Sequence, residues 1–522
     1  MSNPTPAAAA ATGNPVMRVF LGSAPAWYKW TILALLALNP LLLAVAGPVV
    51  TGWAVLFEFI FTLALTLRCY PLQAGGLLAL EAVLLGLATP TQVYAEVVAG
   101  FPIILLLIFM VAGVYFLQDM LQYVFTRLML AIRSRVALGL LFSFASALLS
   151  AFLDALTVMA VVLTVAGGFY RVYHGVATGR SATLPGRTGR QAAAERGEDE
   201  HDVADDTLVA PGRSAELAQF RAFLRSLVMH AAVGTTLGGV CTLVGEPQNV
   251  LIGARAQWDF VEFFLHVAPV ALPVLAVGLL TCSLLEKGRL CGYGVDLPDG
   301  VARILRAYVD RAAERPDPAQ RVRIGAQALV ALLMIAGLAF HVAEVGLIGL
   351  GVIVLATAFS GVVEEHRLGD AFHAALPFTA LLGVFFIIVA VIHSQHLFQP
   401  VMHWVLGLDG RDQVGMFYAV TGALSAISDN VFVATLYVDE LAGALHGGVI
   451  DRAQFERLMV ALNAGTNIPS IATPNGQAAF LFVLSSALAP LIRLSYGRMV
   501  WMAFPYFLAI TTTGLLATLF LL

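Results

Sequence analysis

Charge is what this chain most conspicuously lacks. Only 12% of its 522 residues are Asp, Glu, Lys or Arg, about half the share of an ordinary soluble domain. Hydrophobic residues make up 59% and the mean hydropathy is +0.85, so the chain cannot fold as a water-soluble globule and reads as an integral membrane protein. A formal net charge of −4 gives no basic field for nucleic acid, and no nucleic-acid partner is expected. Cysteine is equally scarce: Cys69, Cys241, Cys282 and Cys291 are scattered without any CxxC spacing. That excludes a disulfide framework and a cysteine metal cluster. No apolar segment followed by a cleavage site occurs in residues 1–26, which read as a cytoplasmic tail rather than a signal peptide.

Long apolar runs are abundant. A bilayer core needs about 20 helical residues. Scanning at that length predicts an extra transmembrane helix at 27–47, followed by spans at 49–67, 72–88 and 97–117. The run 136–169 is too long for one upright helix and too short for two, and its polar residues sit in the middle. A re-entrant hairpin fits that pattern. Polar residues 171–219 follow as a cytoplasmic insert, arginine-rich and then acidic ("ERGEDEHDVADD"), of a composition that stays solvated and flexible. Glycines and Pro247 interrupt the next span, predicting a broken helix at 220–254. A span at 263–285 completes a first repeat, 48–285, and 286–323 reads as a cytoplasmic linker. Residues 324–522 repeat the order: spans at 324–342, 345–363 and 374–392, a hairpin at 413–438, a broken helix at 458–484 and a closing span from Val500.

The repeat is also visible residue by residue. "SAFLDALTVMAV" (Ser150–Val161) and "SAISDNVFVATL" (Ser425–Leu436) share serine, alanine, aspartate and valine at equal offsets. Asp154 and Pro247 stand 93 residues apart and Asp429 and Pro474 stand 45 apart; the difference, 48, is close to the length of the polar insert. Five spans per repeat is an odd number, so the second repeat is expected upside down relative to the first. Most Lys and Arg, from Arg18 to Arg498, then fall on one side, the cytoplasm; Arg255, Arg411, Arg452 and Arg457 fall on the other. The predicted fold is an all-α polytopic membrane protein of two inverted-topology repeats, each with a re-entrant hairpin and a discontinuous helix, about eleven spans plus two hairpins.

Aspartate at mid-membrane depth costs on the order of 3 kcal/mol on insertion scales and generally faces a bundle interior or an ion path. Asp154 and Asp429 are therefore the leading candidates to bind a cation and a proton. Each also stands at a helix start, where a cap is normal; the two roles are compatible. Ser150, Thr157, Ser425 and Asn430 accompany them as oxygen donors. From the broken helices "GTTLGGVCTLVGEPQN" and "NAGTNIPSIATPNGQ", Thr235, Thr236, Asn249, Asn463, Thr466 and Asn467 offer hydroxyl and amide oxygens beside freed backbone carbonyls, a hard-oxygen set suited to a dehydrated sodium ion. The alternative for these small residues is close helix packing. Glu246, whose counterpart by register is Thr473, is a candidate proton carrier or second-site ligand. Glu58 and Glu81 read as structural anchors, and His230, His341 and His393 as structural residues. The His393–His396 spacing lacks the third ligand that zinc would need.

Taken together, "NPLLLAVAGPVVTGWAVLFEFIFTLALTLRCYPL", "SAFLDALTVMAVV", "GGVCTLVGEPQN", "AISDNVFVATLY" and "TNIPSIATPNGQAAFLFVLSSALAPLIRLSYGRMVWMA" resemble the NhaB family of bacterial sodium/proton antiporters, within the wider ion transporter superfamily. The resemblance implies an electrogenic exchanger of the inner membrane that expels Na⁺ and Li⁺ on inward proton flow, with no cofactor and no enzymatic activity. It places the family's cation-binding aspartate on Asp154, and related superfamily transporters commonly form dimers, so a homodimer is an expectation; the Lys and Arg distribution puts the N-terminus in the cytoplasm and the C-terminus in the periplasm. A sodium-coupled dicarboxylate symporter shares the architecture, but two acids at the hairpin tips would repel its substrate. An intramembrane aspartyl protease would need a glycine-flanked aspartate that neither "FLDAL" nor "ISDNV" supplies.

Overall fold

The computed structural model describes residues 15–132, 134–178, 209, 212–313, 318–408 and 410–522. The expected N-terminal tail up to residue 14 and most of the polar insert lie outside the described residues. Every regular element among those described is helical. Six helices are long and apolar enough to cross a bilayer alone, and four more apolar helices are of 10–17 residues. The chain is a polytopic helical membrane protein.

Two compact units divide it. One comprises the chain up to Phe101 together with Pro377–Trp404; the other comprises Pro102–Leu376 and Val405–Leu522. In the first unit, α1 (Ala26–Ala46), α2 (Pro48–Ala64) and α3 (Pro71–Leu84) follow one another with minimal loops. Gly47, at φ +83°, followed by Pro48 at the first helical position, turns the chain between α1 and α2 in a single residue. The start of α1 is fixed by Tyr28 and Ile32, fully buried with Ala74. Beside them Lys29 Nζ donates to the carbonyls of Met17 and Gly22 at 2.7 and 2.6 Å, which satisfies an ammonium whose stem is buried.

The second unit carries the repeat motifs. The apolar run around Asp154 forms α4 (Arg135–Ser150) and α5 (Ala155–Ala177), joined by a four-residue turn. Next come α6 (Ser214–Gly239), an irregular segment, α7 (Pro247–Ala256) and α8 (Phe260–Gly288). The second set is α9 (Gly410–Ser425), α10 (Asn430–His446), α11 (Arg452–Asn467), a 3₁₀ turn at Pro469–Ala472, α12 (Ala478–Ser485) and α13 (Tyr496–Leu521). Pro247 and Pro469 each open the next helical piece, where a missing N–H costs nothing, so the breaks follow from proline placement.

The halves interlock. α4 lies on α6 and α9 lies on α11, each hairpin against the broken helix of its own half; but α7 packs on α10, and α12 packs on α5. Each half therefore closes the other's hairpin. Glycine allows the closest of these approaches: a Cβ on Gly234 or Gly238 of α6 would overlap the carbonyls of Ser143 and Ala147 on α4.

Three differences from the sequence expectation have physical causes. The run 97–117 is not one helix: Pro90–Ala99 ends at Gly100, Pro102 stands in the next turn, and Leu106–Met110 is a π-helical turn. Helices at Gln118–Ala131 and Asp299–Ala313 occupy stretches too polar to register as spans. They bury one stripe each, Leu121, Phe125 and Met129 in the first and Val301 and Leu305 in the second, which is amphipathic patterning that a 20-residue hydropathy average erases. A third, Gln399–Leu406, lies between predicted elements.

The α4–α6 contact makes a direct prediction. Gly238→Ala should lower the stability of the detergent-solubilised protein by about 1–3 kcal/mol through overpacking, whereas Gly443→Ala on α10, where the added methyl meets nothing within 4 Å, should not. Equal thermal unfolding midpoints for the two variants would mean that α4 and α6 do not touch there.

Candidate functional site

Each hairpin turn ends in an aspartate that caps the following helix. Asp154 has φ −57° and ψ 140°, and its Oδ2 accepts from the backbone N–H groups of Leu156 (3.0 Å) and Thr157 (3.2 Å). Asp429 has φ −65° and ψ 139°, and its Oδ1 accepts from Val431 (2.9 Å) and Phe432 (3.3 Å). The two are 275 residues apart, as are Ser150 and Ser425, and the geometry is the same at both. Two amides and the positive end of a helix steady one oxygen of each carboxylate. Among the described residues neither aspartate forms an ion pair, and Asp154 is buried.

Glu246 stands at the start of α7 without capping it; its Oε1 is buried with no hydrogen-bond partner among the described residues, and the Gln477 side chain lies beside the carboxylate. It lies within electrostatic reach of both Asp154 and Asp429, so three carboxylates share one region of the unit. Gly239 makes room for it: a Cβ there would come within 2.9 Å of Glu246 Cγ.

The polar residues of the two breaks bind mainly to one another. Asn467 Nδ2 donates to Asn249 Oδ1 at 3.1 Å and to Asn463 Oδ1 at 3.0 Å, while its Oδ1 accepts from Gln248 Nε2 at 2.8 Å. Asn249 Nδ2 donates to the carbonyls of Gly239 and Thr242, both at 2.7 Å, and Asn463 Nδ2 donates to Val240 O at 3.1 Å. Gln477 Nε2 reaches Thr236 Oγ1 at 2.6 Å. These bonds tie the α6–α7 break to the α11–α12 break and give the freed carbonyls partners. Thr242 donates to Ala151 O, and Thr473 donates to Ala426 O at 2.6 Å, so each break is also tied to the turn of its own hairpin at equivalent positions. Ser425 donates to Thr466 O. Turned nitrogen-inward, the Asn430 amide donates to Gly476 O and Thr466 O at 2.8 and 3.0 Å.

The structure thus gathers Asp154, Asp429, Asn430, Ser425, Glu246, Asn249, Asn463, Asn467, Thr236 and Thr466 into one connected polar region. Thr157 enters through its backbone N–H, Thr235 turns its hydroxyl back to Ala232 O at 2.8 Å, and Ser150 is buried with its hydroxyl unpaired. Gln248, Thr242 and Gln477 hold the region together and were missed by sequence reasoning; "EPQN" carries Gln248 and "PNGQ" carries Gln477, each motif containing a proline. Outside it, Asn39 Nδ2 donates to Glu58 and Glu81, both at 2.9 Å, which joins α1, α2 and α3 as anchors would. His393 Nδ1 meets Glu96 at 2.8 Å, and His396 faces Gln399 rather than sharing a ligand with it.

The family model described as bacterial Na⁺/H⁺ antiporter B (NhaB) matches residues 9–522. The chain belongs to the NhaB family. It is 55% identical to the Na(+)/H(+) antiporter NhaB of Hahella chejuensis, over 95% of this chain and 96% of that protein. It is 58% identical to the protein of that name from Pseudomonas putida, over 93% and 94%, and 56% identical to that of Alcanivorax borkumensis, over 98% and 93%. An NhaB-family chain is a membrane transporter, and the relatives' names indicate no catalytic activity.

Asn467 is the node of the cross-break network. Asn467→Ala in this NhaB-family protein should cost about 1–3 kcal/mol, since it orphans the buried Gln248 amide. It should also weaken the response to Na⁺ by loosening both breaks. A variant with wild-type melting behaviour and wild-type Na⁺ dependence would show the network to be dispensable.

Proposed function

We propose that this chain exports Na⁺, and Li⁺, from the bacterial cytoplasm in exchange for inward H⁺, with Asp154 and Asp429 as the groups over which the ions compete. The observation that carries the reading is the matched pair of helix-capping aspartates, Asp154 buried and Asp429 partly buried, neither paired with a basic side chain among the described residues, with Glu246 in their common field. A carboxylate taken out of water needs either a proton or a cation. One oxygen cannot hold both. Occupancy by H⁺ or Na⁺ therefore alternates, and a carrier that crosses only when its carboxylates are compensated performs obligatory exchange.

Hard oxygens beside each aspartate suit sodium: the free carboxylate oxygen, the Ser150, Ser425 and Thr157 hydroxyls and the Asn430 amide oxygen form the inner set. Thr235, Thr236, Asn249, Asn463, Thr466, Asn467 and the carbonyls freed at the breaks line the approaches. Glu246 supplies a further proton-carrying group without a repeat counterpart, so that more protons than sodium ions move per cycle. Each uncompensated charge then couples transport to the membrane potential at about 2.3 kcal/mol per 100 mV. In this reading the two sets of helices are inverted repeats, about eleven spans and two re-entrant hairpins in the inner membrane, with the N-terminus cytoplasmic, the C-terminus periplasmic, and a homodimer as the assembly. A dicarboxylate substrate is disfavoured by three carboxylates in one region.

Purified protein in liposomes with an internal pH dye tests this. Asp154→Asn keeps the helix cap, because asparagine caps as well as aspartate, so the protein should fold and yet lose Na⁺-evoked proton movement. Asp429→Asn should raise the Na⁺ concentration for half-maximal exchange by about tenfold, the equivalent of 1.4 kcal/mol. Wild-type exchange in Asp154→Asn would overturn the assignment.

A further inference from the structure

Four positions of α4 share one face: Gly139, Ser143, Ser146 and Ser150, spaced four, three and four residues apart. At 100° per residue they fall in a narrow arc. The arc lies toward α6, with Gly139 against the His230 ring. Ser143, Ser146 and Ser150 are fully buried, and among the described residues none of their hydroxyls has a hydrogen-bond partner. That is unusual three times over, because a helical serine can return its proton to the carbonyl four residues back. Alanine would satisfy the close packing as well; packing alone gives no reason for hydroxyls.

The row has a titratable group at each end. Ser150 immediately precedes the turn that carries Asp154. At the other end His230 Nε2 meets Glu286 Oε1 at 2.8 Å, and its Nδ1 meets the Tyr506 hydroxyl at 2.7 Å. Ser226 donates to the same glutamate oxygen, and Gly294 N–H donates to the other at 3.1 Å. Tyr293 stacks on the imidazole at 4.6 Å, and Cys282 of α8 faces it. Arg135, the first residue of α4, donates to the Glu286 carbonyl at 3.1 Å and pairs with the half-exposed Asp296 at 2.8 Å. A cleft lined by Arg135, Gly139, Ser226, His230 and Glu286 adjoins the pair. The pair thus stands between the hydroxyl row and the surface.

We propose that the Ser150–Ser146–Ser143 row is the path along which protons pass between Asp154 and the His230–Glu286 pair. The inference rests on Asp154 as the exchange site. In the inward direction a proton leaves the Asp154 carboxyl for the Ser150 oxygen while the Ser150 proton moves on. The shift repeats at Ser146 and Ser143, each gap crossed through one bridging water, and ends with one proton added to the His230–Glu286 pair as a unit, from which water in the cleft removes it. Helical rise makes the steps about 4.5–6 Å, each the reach of one bridging water. Charge is conserved throughout: Asp154 is left as a carboxylate, ready for a cation, and every serine is restored.

Ser143→Ala/Ser146→Ala tests the path, since neither residue belongs to the ion site. In liposomes, Na⁺-driven proton flux read by an internal pH dye should fall at least tenfold, in keeping with the 10²–10⁴-fold that a positioned proton-transfer group typically contributes. Exchange of ²²Na⁺ for Na⁺ at equal pH, which needs no proton, should stay at the wild-type rate and certify a folded, moving carrier. Unchanged proton flux overturns the path. So does an equal fall in both fluxes, which assigns the serines to helix packing. Asp154→Asn separates the two readings: a dead Asp154→Asn beside a wild-type double-alanine variant removes only the path, whereas a fully active Asp154→Asn removes the exchange site itself.

Discussion

A carboxylate cannot keep its charge in hydrocarbon without compensation, and a helix end cannot leave its amides bare there. The hairpin turns meet both demands with one residue. Asp154 covers the first amides of α5, Asp429 those of α10, and in each case half of the carboxylate is spent on the backbone and half remains. This arrangement fixes where the helices start; a guanidinium at either turn would neutralise its carboxylate permanently. The rest of the second unit holds two such turns in place.

The breaks show how. A broken helix in a membrane exposes carbonyls and amides that water would otherwise satisfy, and here side-chain amides take that part. Asn249, Asn463, Asn467 and Gln248 bond across the two halves rather than within one, and Thr242 and Thr473 tie each break to its own hairpin. Neutral donors do this without adding charge to a region that already holds three acids. The symmetry fails at Glu246, whose counterpart by register is Thr473, and there the first half gains an ionisable group that the second lacks.

Much of this could be read from the order of residues because the same pattern occurs twice in the sequence. The matching offsets around Asp154 and Asp429 marked both turns, and proline within apolar runs marked both breaks. What stayed hidden was of two kinds. The bonds between breaks join residues more than 200 positions apart, and nothing local distinguishes Gln248 or Gln477 from an ordinary loop amide. The helices at Gln118–Ala131 and Asp299–Ala313 failed to register because their apolar stripes are narrow, and Gly100 with Pro102 was hidden inside a run whose average hydropathy is high. His230 looked like a lone histidine because its partners, Glu286 and Tyr506, come from other helices.

The crossed pairing of α7 with α10 and of α12 with α5 carries a consequence for biogenesis. The first hairpin emerges from the ribosome long before α12 exists to cover it, whereas the second hairpin finds α7 already made and waits only for the broken helix of its own half, which follows directly. Assembly of the polar centre is therefore a terminal event, completed only when nearly the whole polypeptide has entered the bilayer. A nascent chain stalled before α12 would hold a half-clothed aspartate in lipid, and such an intermediate is the natural target for membrane quality control.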